Sequence, residues 1–302
     1  MSEPKKQHYV PRFYLKNFGS PIYCYDKLED KVFPRDHKDL GHENYFYEID
    51  DVPQGTLEGL LAKMDGICSQ AYNKLIQTRD LQKLSQSEKM DLFIFLAFQF
   101  LRTGETRLGF KEISEKTLNS IFGENGMKMI PKELKVTYTA DSIKKIQAQM
   151  LIENSARLAT IFSKKKWVVR ENNTDVPLWT SDNPIALHNQ LKFSNGWGNL
   201  GLTVPGIEIH FPLTSNLIMF SHDPTTHKLT SGEMSREHII RHNNYQVTSS
   251  IRFLYSRSPD FDIARGYLKK QPKFKNPDRD RGKFSIKKGN GFDMIIFDRT
   301  DE

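Results

Sequence analysis

The chain has 302 residues, 37% hydrophobic and 11% aromatic with 20 Phe and 11 Tyr, enough apolar material for one large or two ordinary domains and unlike a disordered composition. Two distant cysteines, Cys24 and Cys68, give no disulfide framework and no zinc pattern, and the longest apolar run, Leu92 to Leu101, is about half of what a bilayer requires. The net charge of +7 is local: ten Lys/Arg face only Asp278 and Asp280 between Arg265 and Lys288, a net of +8 that leaves the rest near −1.

Residues 8–50 alternate short apolar runs with turn residues, as in His8-Tyr9-Val10-Pro11 and Ile22-Tyr23-Cys24-Tyr25, which predicts strand-like or extended pieces. Leu57, Leu60, Leu61, Met64 and Ile67–Cys68 then follow helical three-four spacing up to about residue 76. Ser85 and Glu88 form a capping box, S-x-x-E, before a helix whose stretch 92–98 is apolar on all sides, the pattern of a central buried helix. A further helix is predicted over 141–162. Beyond Lys165 the texture becomes β, with strands expected at 166–170, 178–180, 208–211, 216–220 and 252–255 and a short helix at 235–245. Helices grouped before strands predict an α+β fold. The expected organisation is a core over 1–256, its helical part at 57–162 and its β-rich part at 163–256, followed by a basic tail over 257–302. The polar N-terminus (Met1–Lys6), without an apolar h-region, and the sparse cysteines lead to the expectation of a cytoplasmic chain with no membrane partner.

Three stretches stand in order: Gln7-His8-Tyr9-Val10-Pro11-Arg12-Phe13-Tyr14-Leu15, then Phe98-Gln99-Phe100-Leu101-Arg102-Thr103, then Trp179-Thr180-Ser181-Asp182-Asn183-Pro184. Phe211-Pro212-Leu213-Thr214 and Asn243-Asn244 follow them. Together they resemble the bacterial family known as domain of unknown function 4238, over roughly residues 5–256. The resemblance implies a role in defence against bacteriophage and carries no catalytic mechanism or cofactor with it.

The residues themselves suggest where chemistry can sit. His8 lies on an extended segment, because Pro11 disfavours helix at Val10, and can act as acid or base near neutral pH; the bland alternative is a ring bonded to backbone inside the core. Gln99 and Arg102 share one face of an apolar helix, and a buried guanidinium needs either an internal carboxylate or a bound anion. Asp182 and Asn183 suit a turn before Pro184, or else face a pocket as base and as substrate anchor. The sharp expectation is one site with His8, Arg102 and Asp182 as catalytic groups and Arg12, Gln99, Thr180, Ser181 and Asn183 around the substrate. No metal ligands are assigned, and the spacing of His and Cys predicts none.

Arg236-x5-His242 resembles, loosely, the R-x4-6-H signature of HEPN ribonucleases, with a surface amphipathic helix as the plainer reading. No phosphate loop, G-x-G-x-x-G, G-x-S-x-G or H-E-x-x-H is present, and Pro259-Asp260 and Pro277-Asp278 lack a following E-x-K strand. ATP hydrolysis on a phosphate loop, dinucleotide-dependent hydride transfer and zinc proteolysis are therefore not expected. Lys269, Lys270, Lys273, Lys275, Arg279, Arg281 and Lys283 make the tail a candidate for binding nucleic acid. Two functions follow as expectations: a defence effector, nuclease-like or acting on a nucleotide, or a non-catalytic sensor that recognises a phage component or nucleic acid.

Overall fold

The computed structural model describes residues 6–49, 53, 55–129, 140–191, 200–222, 234–281, 283–287 and 294–298. The chain opens on strand β1 (Lys6–His8) and a single helical turn, α1 (Arg12–Leu15), which starts just after Pro11. Strands β2 (Ile22–Asp26), β3 (Lys31–Arg35) and β4 (His42–Asn44) follow. β1 pairs with β4, setting His8 opposite His42. Gly41, with φ at +61°, lets its carbonyl accept from the N–H groups of both Tyr9 and Val10 (2.9 and 3.0 Å). A Cβ there would lie 2.7 Å from the Val10 side chain, so only glycine permits this close approach.

Four helices come next: α2 (Thr56–Thr78), α3 (Gln86–Leu101), α4 (Gly104–Met129) and α5 (Ala140–Ser163). The capping box of α3 is formed as expected, with Glu88 N–H donating to Ser85 Oγ (3.3 Å) and Ser85 N–H to Glu88 Oε2 (2.7 Å). Leu92, Phe93, Phe95, Leu96, Ala97, Phe98 and Leu101 are buried, and α3 is the central helix. In α2 the buried line is Leu57, Leu61, Cys68, Ala71, Tyr72 and Leu75. Leu60 and Ile67, predicted to face inward, are exposed at 39% and 44%. Leu57, Leu61 and Cys68 are buried as predicted, and Ala71, Tyr72 and Leu75 continue the stripe in place of Leu60 and Ile67.

The second half carries β5 (Trp167–Glu171), β6 (Thr180–Ser181), β7 (Ala186–Asn189), β8 (Ile207–Thr214), β9 (Leu217–Ser221), α6 (Arg236–Ser249), β10 (Phe253–Ser256), α7 (Asp262–Lys270) and the hairpin β11 (Lys283–Lys287) and β12 (Met294–Asp298). One antiparallel sheet runs β3-β2-β10-β6, so strands from the start of the chain pair with a strand near residue 255. The other runs β5-β9-β8-β7. The fold is α+β, with helices before strands only in outline.

Every residue of β8 is buried because its sheet is covered on both faces. Ile209, Phe211, Leu213 and Met219 join the helical core, while Ile218 and Phe220 pack with Leu178, Met234 and Ile239. Aromatic rings fill the centre as the composition predicts. Tyr14 stacks on Phe211 at 5.1 Å, and Phe95 meets Phe13, Tyr72 and Phe211 within 6 Å.

The position 256/257, expected to open a tail, falls between β10 and α7. Phe261, Ala264, Leu268 and Phe274 are buried against Tyr25, Trp179, Val247 and Leu254. At about 25 cal/mol per Å2 of apolar surface, four such side chains contribute several kcal/mol. Deleting residues 265–288 is therefore expected to lower stability as well as any nucleic-acid affinity, a loss readable as a fall in the urea midpoint.

Candidate functional site

The first motif and the end of α3 meet over α2. Gln7 holds the loop that leads to α2, donating to Glu48 Oε1 (2.5 Å) and accepting from Tyr47 N–H (2.6 Å). Four residues after His8, at the start of α1, Arg12 donates from Nε to His8 Nε2 at 3.2 Å. The Lys38 carbonyl lies 3.2 Å from the same nitrogen. Arginine can only donate, so this nitrogen is the acceptor and the ring proton sits on Nδ1. Burial first, then the Arg12 charge, push the His8 pKa down to about 4. At neutral pH His8 is uncharged, an orienting group and a weak base.

Arg102 is fully buried at the C-cap of α3. Its Nη1 donates to both Asp65 oxygens (2.9 and 3.0 Å) and its Nε to Gln99 Oε1 (3.0 Å), while Gln99 Nε2 donates to the Tyr9 carbonyl (3.1 Å). The motif Gln99-x-x-Arg102 is thus a bracket that holds the guanidinium in a fixed plane. Its remaining nitrogen, Nη2, is shut off from solvent and has no hydrogen-bond partner. Leaving such a donor unpaired is costly, and sites that receive an anion tolerate it.

Glu58 and Asp65 stand seven residues apart on α2, two turns up the same face, with buried Leu61 between them. Glu58 Oε2 is likewise buried without a partner. Burial raises its pKa to about 7; Arg102, the His8 backbone N–H and Arg12 oppose the rise, while Asp65 adds to it. Asp65 is itself raised by burial, against the pull of Arg102. One buried guanidinium therefore serves two carboxyl groups, and Arg12 marks the exposed edge of the cluster. A carboxyl that titrates near neutrality beside an unpartnered guanidinium N–H can exchange a proton and hold an anion at once.

Neither acid figures among the residues expected from the sequence. A Glu and an Asp on an amphipathic helix read as solvated face. The signal that finds them is their seven-residue spacing, which lies in line with Leu61, Cys68 and Tyr72 once the buried stripe is placed correctly.

Asp182 and Asn183 do not join this cluster. The Asp182 carboxylate is buried and accepts three backbone N–H bonds, from Ile251, Arg252 and Phe253 (2.9, 2.8 and 2.9 Å), which shape the turn into β10. Asn183 donates to the Ser249 carbonyl (3.0 Å) at the end of α6. Ser181 donates to Gln246 Oε1 (2.8 Å); Tyr14 donates its hydroxyl to the Pro212 carbonyl (2.9 Å) and so accepts from Thr180 (2.7 Å). The third motif is a joint between α6, β10 and the aromatic core, because its polar side chains are consumed by buried backbone and side-chain partners. Nearby Lys27, fully buried, donates to the Val247 and Ser250 carbonyls at that helix end (2.8 and 2.9 Å).

The tail set divides. Lys269 and Lys270 are exposed and Lys273 and Lys275 half-buried, whereas the side chain of Lys283 lies outside the described residues. Arg279 and Arg281 are buried at 8% and 6%, both on Glu105 (3.2 and 3.1 Å). As placed, both are turned inward onto an internal carboxylate, Arg281 through Nε and Nη2 and Arg279 through Nη2.

The R-x5-H pair also separates. Six residues put Arg236 and His242 about 120° apart around the helix. Arg236 is exposed beside Asp175, while buried His242 shares a proton with His210 at 2.8 Å between Nδ1 atoms. His238 is the capping partner of Ser235, its ring Nδ1 accepting from the Ser235 N–H. Among the described residues no group of three or more His, Cys, Asp or Glu is placed to hold a metal ion, and no helix is long and apolar enough to cross a membrane.

The family described as "Protein of unknown function (DUF4238)" matches residues 6–260, which takes in both arms of the His8–Arg102 cluster and the joint at Asp182. No curated protein and no solved structure matches the chain.

Proposed function

The chain belongs to the family of proteins of unknown function DUF4238, and from that premise we propose that it is a defence effector that acts on a phosphate-bearing substrate, a nucleic acid or a nucleotide, at the His8–Arg12–Glu58–Arg102 cluster. The observation that carries this reading is the pair of buried, unpartnered polar atoms, Glu58 Oε2 and Arg102 Nη2, in one charge cluster. Arg102 and Arg12 receive the anion, Glu58 moves the proton, and His8 fixes Arg12. A bound anionic group satisfies Nη2, and Glu58 in its ionised form takes a proton from an attacking water or hydroxyl. The exposed lysines Lys269 and Lys270 supply weak, salt-sensitive attraction for a polyanion outside the site.

Glu58→Gln tests the assignment on two axes. The folded pKa is raised above the unfolded value, so ionising Glu58 opposes folding: the penalty is absent below pH 4.5 and complete above about pH 7. Removing the charge is therefore expected to stabilise the protein by about 1–2 kcal/mol at pH 7.5, after discounting for partial exposure, and hardly at pH 4.5. The same variant is expected to lose phage protection in cells and any breakdown of RNA, DNA or nucleotides by the purified chain. A variant more stable yet inactive identifies a functional group held at a cost to the fold. Protection equal to wild type at equal protein level removes Glu58 from the mechanism.

A sensor without catalysis is the second reading. Its support is Arg12 at the exposed edge of the cluster, where a ligand is held and never turned over. It predicts that Glu58→Gln retains binding and signalling while Arg102→Lys loses both.

A further inference from the structure

The N-terminal half of α3 borders a second concave feature, a groove of about 390 Å3. Lys89 and Phe93, one turn apart, form one wall with Met90. The other wall is Lys165-Lys166-Trp167, where α5 passes into β5. The floor is aromatic: the Trp167 indole lies 6.2 Å from the Phe93 ring at an interplanar angle of 29°. Its Nε1 donates to the Phe162 carbonyl (2.8 Å), which locks the plane of the ring while leaving the residue half-buried. The rim carries three lysines, and no acidic side chain is found among the described residues that line the groove. From Met90 to Arg102 is about 18 Å along the helix, so the groove is distinct from the Glu58 cluster.

We propose that this groove binds a free nucleoside polyphosphate, with its base on the Trp167–Phe93 surface and its phosphates among Lys89, Lys165 and Lys166. An aromatic floor inside a rim whose charged members, among the described residues that line it, are all lysines matches a ligand with a flat π-face at one end and several negative charges at the other. The volume falls within the range of about 300–1,000 Å3 typical of small-ligand sites. A protein partner instead needs a patch of about 800 Å2 per side, and a single strand of nucleic acid needs a channel continuing over several nucleotides. The groove does not depend on the reading of the Glu58 cluster.

The test is titration of the full chain with ATP and with AMP at low salt, followed by tryptophan fluorescence and calorimetry. Wild type is expected to bind ATP saturably with quenching, more tightly than AMP, and with an affinity that falls as salt rises. The double substitution Lys89→Glu, Lys166→Glu is expected to weaken ATP binding by at least about tenfold at an unchanged melting temperature. Trp167→Phe is expected to remove most of the quenching and to keep the lysine-dependent affinity. Absence of saturable ATP binding, or equal ATP affinity in the double variant, overturns the proposal. Loss of ATP binding in Arg102→Lys but not in the double variant also overturns it, since the nucleotide would then sit in the other cluster. So does displacement of ATP by a 5′-phosphorylated oligonucleotide at a lower concentration than by AMP.

Discussion

Alanine at position 182 is expected to destabilise the protein by about 3–5 kcal/mol, because three buried N–H groups lose their shared acceptor at about 1–3 kcal/mol each. The upper end is tempered because Asp182 is itself strained by burial, which raises its pKa against the pull of Lys27 and the three N–H donors. Asp182→Asn keeps one acceptor oxygen and is expected to lose about half as much. Urea unfolding of both variants measures this directly. A loss of function at full stability in Asp182→Asn would return Asp182 to the site; the three bonds at 2.8–2.9 Å predict the opposite order of effects.

Arg102→Ala carries the second large effect. Removing it leaves the half-buried Asp65 without its partner, and breaking a fully buried pair by deleting one partner costs about 3–5 kcal/mol, which sets the upper bound here. Asp65 can relieve part of this by taking up a proton, since burial already holds its pKa high. The double variant Arg102→Ala, Asp65→Ala is therefore expected to be less unstable than the two single losses added together, by about 1–3 kcal/mol in a double-mutant cycle. Arg102→Lys separates structure from function. A lysine keeps the charge that Asp65 needs but lacks the fork that Gln99 orients, so most of the stability survives while anion binding falls.

What could be read from the chain beforehand follows from how local the causes are. The capping box at Ser85 and the all-apolar run after it are local, and α3 lies where they place it. The stripe of α2 reads too wide on one side because Leu60 and Ile67 are as apolar as the buried positions. Only packing against α3 and β8 decides which face turns inward, and that is a long-range fact. The same error hid Glu58 and Asp65, which the predicted phase left on the outer face. His8 and Arg102 could be singled out by type, a histidine on an extended segment and a charge on an apolar helix. Asp182 has the same look in sequence, yet its partners lie about seventy residues away, beyond any local pattern. Charge counting grouped Arg279 and Arg281 with Lys269 and Lys270, although Glu105, far earlier in the chain, draws the two arginines inside.

Acid stability gives a less direct view of the cluster. Burial holds His8, His210 and His242 neutral in the fold, with pKa values below the ordinary 6.5. Their contribution to stability is present above that value and lost as pH falls toward 4, about 2 kcal/mol from His8 alone at pH 5. Glu58 acts in the opposite sense over the same interval and offsets part of that loss, so wild type is expected to weaken only moderately between pH 7 and 5. Glu58→Gln removes the compensation and is expected to weaken markedly with acid, as thermal melts at a series of pH values will show.

The cluster's central property is a carboxyl that titrates near neutrality and senses an anion at Arg102. The carboxyl carbon of Glu58 can be followed by 13C NMR in the full chain, assigned by its disappearance in Glu58→Gln, with and without inorganic phosphate. The predicted result is a midpoint at about 7 that rises further with phosphate, because an anion on Arg102 takes over the countercharge that Glu58 otherwise feels. A midpoint in the ordinary carboxylate range, about 4.3, and unmoved by phosphate, would contradict the site as described.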